Sequence, residues 1–192
     1  MLASDRRLLQ AQRVIDLPTF RYHPDPLATG EIAPSETACR CCGRVRGYVY
    51  KGPVYCVEEV DDELCPWCIA DGSAAERYSA TFTDNVGWLP ADTPAKVVAE
   101  IETRTPGFVG WQQAHWLFHC GDGAAYLGRV GYRELQQYPD ALEMALHEND
   151  EFHWSVEQSE EYVRSLHPGG DATGYWFRCL HCGVALAYTD MS

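Results

Sequence analysis

The pattern of apolar and polar positions predicts several short helices. In "DTPAKVVAEIETRTPG", the apolar residues Val97, Val98 and Ile101 fall on one face of a helix. Thr93 suits the N-cap of this helix, and Pro94 suits its first position. The same kind of periodicity predicts three further helices, over residues 110–120, 132–146 and 156–166.

Runs rich in aromatic and β-branched residues predict strands between these helices. "GYVYKGPVYCVEEV" predicts two short strands joined by a turn at Gly52-Pro53, and "AAYLGRVGY" predicts a strand followed by a turn. The C-terminal "GYWFRCLHCGVALAYTD" contains two β-prone runs that flank a cysteine pair. We therefore predict an α+β fold, with short β-hairpins and several packed helices in a single compact domain.

The N-terminal stretch differs from the rest of the chain. Residues 2–15 mix leucines with polar residues and suit a short amphipathic helix or a partly ordered extension. The proline-rich "LPTFRYHPDPLATGEIAPSE" that follows predicts extended or turning backbone across a surface. The predicted organisation is an N-terminal extension over residues 1–16 and one domain over residues 17–192.

The charge balance narrows the possible partners. The chain of 192 residues has 15 Lys and Arg against 28 Asp and Glu, a net charge of −13, which argues against nucleic acid as the main ligand. No apolar stretch is long enough to span a bilayer, and the first residues lack the apolar core of a signal peptide. These features predict a cytoplasmic protein, in which nine cysteines stay reduced and paired cysteines indicate metal or redox chemistry.

Three cysteine pairs share the spacing C-x-x-C: Cys39 with Cys42, Cys65 with Cys68, and Cys179 with Cys182. A glycine follows Cys42 and Cys182, where it lets the backbone turn beneath a metal ion, as in a zinc knuckle. The first two pairs are separated by 22 residues, and together they offer four sulfur ligands to one tetrahedral ion. We predict a structural zinc site there, with Cys41 as the spare thiol unless a tighter turn lets it replace Cys39.

The third pair, Cys179 and Cys182, needs two more ligands to complete a second zinc site. Cys120 is the candidate for the third ligand, and the adjacent His119 is a candidate for the fourth. Neighbouring residues of a helix point in different directions, so both can bind only if the predicted helix ends at Gly121. Without a fourth ligand, this second site would keep an open position.

Other histidines and one further cysteine complete the set of soft ligands. His115 lies one predicted helical turn from His119, and His153 and His167 are possible because distance in sequence does not fix distance in space. His181 lies inside a knuckle, where it is sterically awkward as a ligand. Cys56 falls in a β-prone run and is predicted to pack as a small buried apolar residue.

A redox dithiol is the alternative interpretation of the Cys65–Cys68 pair. "LCPWCIADGSAAE" has the C-P-aromatic-C arrangement of glutaredoxin-like dithiols, with a possible helix whose N-terminus would lower the pKa of the first thiol. A buried apolar strand should precede such a site, whereas the acidic "EEVDDEL" precedes this one, and no convincing β-Pro-β segment follows. A redox role for Cys65 and Cys68 also leaves the other two pairs unexplained.

Several stretches resemble one known family. "FRYHPDPLATG", "LCPWCIADGSAAERYSATFTD", "GWQQAHWLFHCGD" and "FRCLHCG" resemble the CbrC family, uncharacterised bacterial proteins linked to colicin tolerance. The resemblance covers nearly everything from Leu17 onward and implies a cytoplasmic bacterial protein whose cysteine pairs bind metal, with no established reaction. It also implies that some members carry a cysteine where this chain has Ala124. This chain would then lack one ligand of the second site, and either His119 or another group substitutes for it or the site is absent.

The sequence favours a binding role over catalysis. It contains no Walker-type loop, no G-x-S-x-G motif and no H-E-x-x-H motif. His23 and Asp25 could belong to a polar site, but the prolines at positions 24 and 26 favour an ordered surface loop, and no catalytic residue is assigned. We predict an acidic protein stabilised by Zn²⁺ that binds another protein. The alternatives are a metal-dependent hydrolase that uses an open second zinc site and, third, a C-x-x-C redox protein.

Overall fold

The computed structural model describes residues 16–84, 89–148 and 154–192. Nearly all of the predicted extension over residues 1–16 lies outside these ranges, as does His153. Within them the chain forms six helices and seven strands, and the strands make three small antiparallel sheets. This confirms the predicted α+β class. None of the helices in the described ranges is both long and apolar enough to cross a membrane.

The elements follow one another in short stretches. The strands are β1 (Ile32–Pro34), β2 (Tyr48–Tyr50), β3 (Phe118–His119), β4 (Asp122–Gly123), β5 (Ala125–Val130), β6 (Ala172–Arg178) and β7 (Ala185–Met191). The helices are α1 (Pro66–Ala70), α2 (Ser73–Tyr78), α3 (Ala95–Arg104), α4 (Tyr132–Leu135), α5 (Pro139–His147) and α6 (Val156–Ser165).

The N-terminal part of the chain builds a core that includes cysteines. β1 and β2 pair with Ile32 opposite Tyr50, and α1 and α2 contribute to the same core. Leu64 and Ile69 are fully buried beside Cys65 and Cys68. Because the thiols belong to this core, whatever holds them together also holds the apolar side chains around them.

The sheet of β5, β6 and β7 separates two further cores. One face carries aromatic side chains, including Tyr126, Phe177 and Tyr188, and packs against Phe108 and Trp116. On the other face α4, α5 and α6 cover the sheet, and α5 lies against β7 through small residues. These small residues are Ala141 and Ala145 of α5 and Ala185 and Ala187 of β7.

Some predicted elements differ from the structure. The helix predicted over 110–120 is wrong, because this stretch is irregular up to β3, where a hairpin begins. The helix predicted over 132–146 is two helices, since Pro139 cannot continue the preceding one and instead begins α5. The hairpin predicted around Gly52-Pro53 is also wrong. β2 pairs with β1, and Tyr55 forms only an isolated bridge to Thr81.

His23 is buried between two backbone segments. Its Nδ1 lies 2.8 Å from the carbonyl oxygen of Pro106, and its Nε2 lies 2.7 Å from Oγ1 of Thr29. Because a carbonyl oxygen only accepts, Nδ1 carries the proton and the Thr29 hydroxyl donates to Nε2. Asp25 instead accepts from the backbone N–H of Ala28. The two side chains therefore do not form the polar site that their spacing allowed, and His23 is not at the surface.

We expect His23 to remain neutral in mildly acidic solution. Burial lowers its pKa from 6.5 to about 4. Between these values the unfolded chain binds a proton at His23 and the folded chain does not, so the free energy of unfolding decreases as the pH falls from 6.5 towards 4. A nitrogen-15 NMR titration should show a neutral ring with Nδ1 protonated at about pH 5.5. A protonated ring at that pH would contradict the buried hydrogen-bonded geometry.

Candidate metal centres

The first cysteine group joins a knuckle to the start of a helix. Cys39 and Cys42 lie on a turn between β1 and β2, closed by hydrogen bonds from Cys39 N to Arg44 O at 2.9 Å and from Gly43 N to Cys39 O at 2.7 Å. Gly43 adopts a φ of 71°, which favours glycine. Cys65 is the N-cap of α1, and Cys68 lies in its first turn. The chain thus brings the two pairs face to face.

The sulfur atoms of this group have tetrahedral spacing. The Sγ–Sγ distances are 3.8 Å for Cys39–Cys68, 3.9 Å for Cys42–Cys65 and 3.6 Å for Cys65–Cys68. A tetrahedron of sulfurs about 2.3 Å from a central zinc ion has edges of about 3.8 Å. All four sulfurs lie within 4.8 Å of one another, and the group could hold a metal ion.

The thiols of this group oppose each other's ionisation. The hydrogen bond between Cys39 and Cys65 lowers the pKa of Cys39 to about 4 and raises that of Cys65. Burial raises the pKa of Cys68 to about 12. One negative charge therefore forms readily, whereas further thiolates in this buried cluster need a cation to balance them.

The second group joins two hairpins. Cys179 and Cys182 lie on the turn between β6 and β7, where Cys179 N donates to Val184 O at 2.9 Å and Gly183 N donates to Cys179 O at 3.1 Å. This hydrogen-bond pattern is that of the Cys39–Cys42 knuckle. His119 and Cys120 lie on the hairpin of β3 and β4.

The β3–β4 turn lets two adjacent residues face one site. Cys120 and Gly121 both have positive φ values, 54° and 70°, which suit a tight two-residue hairpin turn. The Sγ of Cys120 lies 3.9 Å from that of Cys182, and His119 Nδ1 lies 3.2 and 3.4 Å from these two sulfurs. Together with Cys179 they form a group of one nitrogen and three sulfurs within 4.8 Å, which could also hold a metal ion.

The thiols of the second group also differ in acidity. Burial opposes ionisation of Cys179, but hydrogen bonds from the backbone N–H groups of Cys182 and His181 lower its pKa to about 6. The hydrogen bond to Cys182 raises the pKa of Cys120 to about 11. Cys179 is buried, whereas Cys120 and Cys182 are exposed, so this group lies nearer the solvent than the first.

A buried carboxylate beside the second group was not predicted from the sequence. Asp122 accepts hydrogen bonds from Arg21 at 2.6 Å, Tyr22 at 2.8 Å and His181 at 2.7 Å. Burial opposes ionisation of Asp122, but the hydrogen bonds from Tyr22 and His181 and the charge of Arg21 lower its pKa. Asp122 therefore links residues 21–22 to both hairpins of the group. The only feature of the sequence that could have drawn attention to Asp122 is its position two residues after the candidate ligand Cys120.

Replacement of Asp122 by alanine is expected to weaken the second group specifically. The change leaves the buried Tyr22 hydroxyl without its acceptor and releases His181 from the β3–β4 hairpin. We expect a loss of about 2–4 kcal/mol in the free energy of unfolding, measured by urea denaturation. Asp92→Ala, at an exposed position, should change it by less than about 0.5 kcal/mol. Equal effects of the two variants would contradict the role given to Asp122.

The remaining candidates lie apart from both groups. His115 stacks on Tyr188 with ring centroids 3.9 Å apart, and His167 lies in the loop before β6. Neither belongs to a group of soft ligands in the described residues. The Sγ of Cys41 lies 3.7 Å from the Ser73 hydroxyl, outside the first group. Cys56 packs against the N-terminal core but is only partly buried.

Comparison with known proteins places the chain in a family. Residues 17–191 match UPF0167, an uncharacterised protein family. The chain belongs to the UPF0167 family. UPF0167 proteins of Mycobacterium bovis and Mycobacterium tuberculosis are each 52% identical to it over 176 residues, which cover 92% of this chain and 94% of the relative. A UPF0167 protein of Pseudomonas aeruginosa is 46% identical over 170 residues, 88% of this chain and 94% of that relative. No solved structure matches the chain.

This assignment corrects the resemblance to the CbrC family. The matching family and its relatives are named UPF0167, and none carries the CbrC name, so the CbrC identification was wrong. UPF0167 is described only as uncharacterised and supplies no reaction or substrate. Ala124, the position singled out by that resemblance, is a buried residue of the aromatic core and belongs to neither ligand group.

Proposed function

We propose that this UPF0167 protein binds two zinc ions, one in each four-residue group, and that residues 17–192 form a zinc-stabilised domain that binds another protein. The observation that carries the proposal is the tetrahedral spacing of the first group, whose measured Sγ–Sγ distances are 3.6–3.9 Å. The second group, with three sulfurs and one imidazole nitrogen, is a ligand set that zinc commonly takes.

The chemistry of the ligands favours zinc over other common divalent ions. Thiolate and imidazole are soft or borderline ligands that suit zinc, whereas calcium and magnesium require oxygen ligands. The proposed ligands are Cys39, Cys42, Cys65 and Cys68 at the first site and His119, Cys120, Cys179 and Cys182 at the second. Each site uses four protein ligands, which is typical of structural zinc.

A structural role is favoured over the hydrolase alternative. A catalytic zinc site keeps one position open for water, with three protein ligands. His119 Nδ1 lies 3.2 Å from Cys120 Sγ, close enough to occupy the fourth position of the second site. The redox alternative is also disfavoured, because Cys65 and Cys68 each pair with a sulfur of the Cys39–Cys42 knuckle.

The surface beside the first site supports protein binding. Val45 and Tyr55 are 55% and 40% exposed, and the side chain of Val57 is fully exposed. Arg40, within the knuckle, forms an exposed ion pair with Glu58 on the loop that carries Val57. Exposed apolar residues of this kind, on a chain with a net charge of −13, suit a protein partner better than nucleic acid. We place the protein in the cytoplasm because its cysteines would there stay reduced.

Cobalt substitution distinguishes structural from catalytic metal. Protein loaded with two Co²⁺ ions should show the intense visible bands of tetrahedral cobalt with thiolate ligands, and azide should leave these bands unchanged because no coordination position is open. His119→Ala opens one position in the second site and serves as the positive control, in which azide should shift the bands. A shift in the unmodified protein would favour the hydrolase instead.

A further inference from the structure

Two neighbouring hollows in the described surface are both lined by the positively charged side chain of Arg129. The first, of about 440 Å³, lies between the turn at residues 25–29 and β5. The second, of about 340 Å³, lies between residues 109–111 and residues 168–175. Arg129 and Pro168 line both hollows, which we call together the Arg129 cleft. Each hollow falls within the size range of a site for a small molecule.

A β-bulge in β5 places Arg129 on the aromatic face of the central sheet. Tyr126 pairs with Phe177 and Arg129 pairs with Tyr175, so both β5 residues lie on the face that Phe177 and Tyr175 share. Without the extra residue between them, Arg129 would lie on the face opposite to Tyr126. Arg129 itself is exposed and lies at the margin of this apolar face, where its charge can reach a ligand.

The guanidinium of Arg129 is held by one hydrogen bond and is not ion-paired in the described part of the chain, although the carboxyl of Asp25 also lines the first hollow. Its Nη2 donates to the carbonyl oxygen of Val109 at 2.9 Å, which leaves its other N–H groups for a ligand. Among the residues that the structure describes, Arg129 forms no ion pair. The carboxyl of Glu31 lies nearby, but burial raises its pKa to about 7 although the charge of Arg129 opposes this shift. At neutral pH Glu31 therefore offsets only part of the positive charge.

Trp111 supplies a fixed apolar wall to the cleft. Its indole Nε1 donates to the carbonyl oxygen of Gly170 at 2.9 Å, and its backbone N–H contacts the hydroxyl of Tyr175 at 3.3 Å. The residue is nevertheless 52% exposed. An indole ring oriented in this way can stack on a planar group or pack against an apolar one.

We propose that the Arg129 cleft binds a small molecule that carries a carboxylate or phosphate group next to an apolar or planar part. Arg129 donates hydrogen bonds to the anionic group, for which the planar guanidinium is well suited. Trp111 packs against the remainder of the ligand. This site is independent of the two metal groups and of the proposed protein partner.

Titration of nitrogen-15 labelled protein with inorganic phosphate and with benzoate tests the proposal, at constant ionic strength adjusted with chloride. The backbone amides of Gly128, Gly169 and Gly170 line the cleft and report on it. We expect saturable shifts of these resonances with at least one probe. Arg129→Gln should weaken that binding at least tenfold, whereas Arg133→Gln removes the same charge from an exposed position and should leave it unchanged.

Trp111→Leu provides a second test at an exposed position. It should weaken benzoate several-fold and leave phosphate unaffected, because phosphate has no planar part to stack. The proposal is overturned if neither probe gives saturable shifts, or if Arg129→Gln binds as tightly as the unmodified protein.

Discussion

Replacement of Cys68 by serine is expected to remove one zinc ion per chain and to unfold the N-terminal core. Cys68 is buried, and its Sγ contacts the sulfurs of Cys39 and Cys65. Loss of this ligand leaves three thiols in a core whose apolar side chains pack directly on them. Because zinc binding at such sites is coupled to folding, we expect a loss of more than about 3 kcal/mol in the free energy of unfolding. Guanidinium denaturation and elemental analysis measure the two effects.

Cys41→Ser is the matched control for this prediction. Cys41 lies next to the proposed ligand Cys42 but outside the four-sulfur group, so its replacement should retain both zinc ions. It should also change the free energy of unfolding by less than about 1 kcal/mol. If Cys68→Ser keeps both ions, or if Cys41→Ser loses one, the assignment of the first site is wrong.

Replacement of Cys182 by serine is expected to remove only the second zinc ion. The first site should stay intact because it shares no ligand with the second. The β6–β7 knuckle should then open, and hydrogen exchange of the Cys179 and Gly183 amides, which close it, should accelerate more than tenfold. Exchange of the Gly43 amide, which closes the other knuckle, should not change.

Cys56→Ser controls for the loss of a thiol as such. Cys56 belongs to neither ligand group; it packs against the margin of the N-terminal core, and its Sγ donates to the backbone oxygen of Glu58. In Cys56→Ser, we expect both zinc ions to remain and the amides that close both knuckles to exchange slowly.

For Cys182→Ser, equal acceleration of hydrogen exchange at the Gly43 and Gly183 amides would instead show that the two sites form one cooperative unit.

The first metal group was predictable because its geometry is local. The C-x-x-C spacing places Cys39 and Cys42 on one turn, and the glycine after Cys42 permits the positive φ that this turn requires. The same reasoning applies to the knuckle at Cys179. Only the choice of which C-x-x-C pair joins which depends on the tertiary fold. For Cys39 and Cys42, the sequence contains just one other C-x-x-C pair before residue 120, Cys65 and Cys68.

The second group was harder to predict because periodicity gave the wrong element. Apolar spacing in residues 110–120 suggested a helix, in which His119 and Cys120 would point in different directions. The hairpin turn at Cys120 and Gly121 instead lets both face one site. The burial of Asp122 and of His23 depends on contacts with residues about 100 and 83 positions away in the chain, and no local pattern encodes such contacts.

Two closed zinc sites per chain would make zinc part of the folded protein. The most direct test is the zinc content per chain, measured by elemental analysis of protein purified without added metal or chelator. We expect two zinc ions per chain, as required by the groups that contain Cys39 and Cys179. One zinc ion per chain would mean that only one of the two groups binds metal. A protein that folds without zinc would contradict both proposed sites.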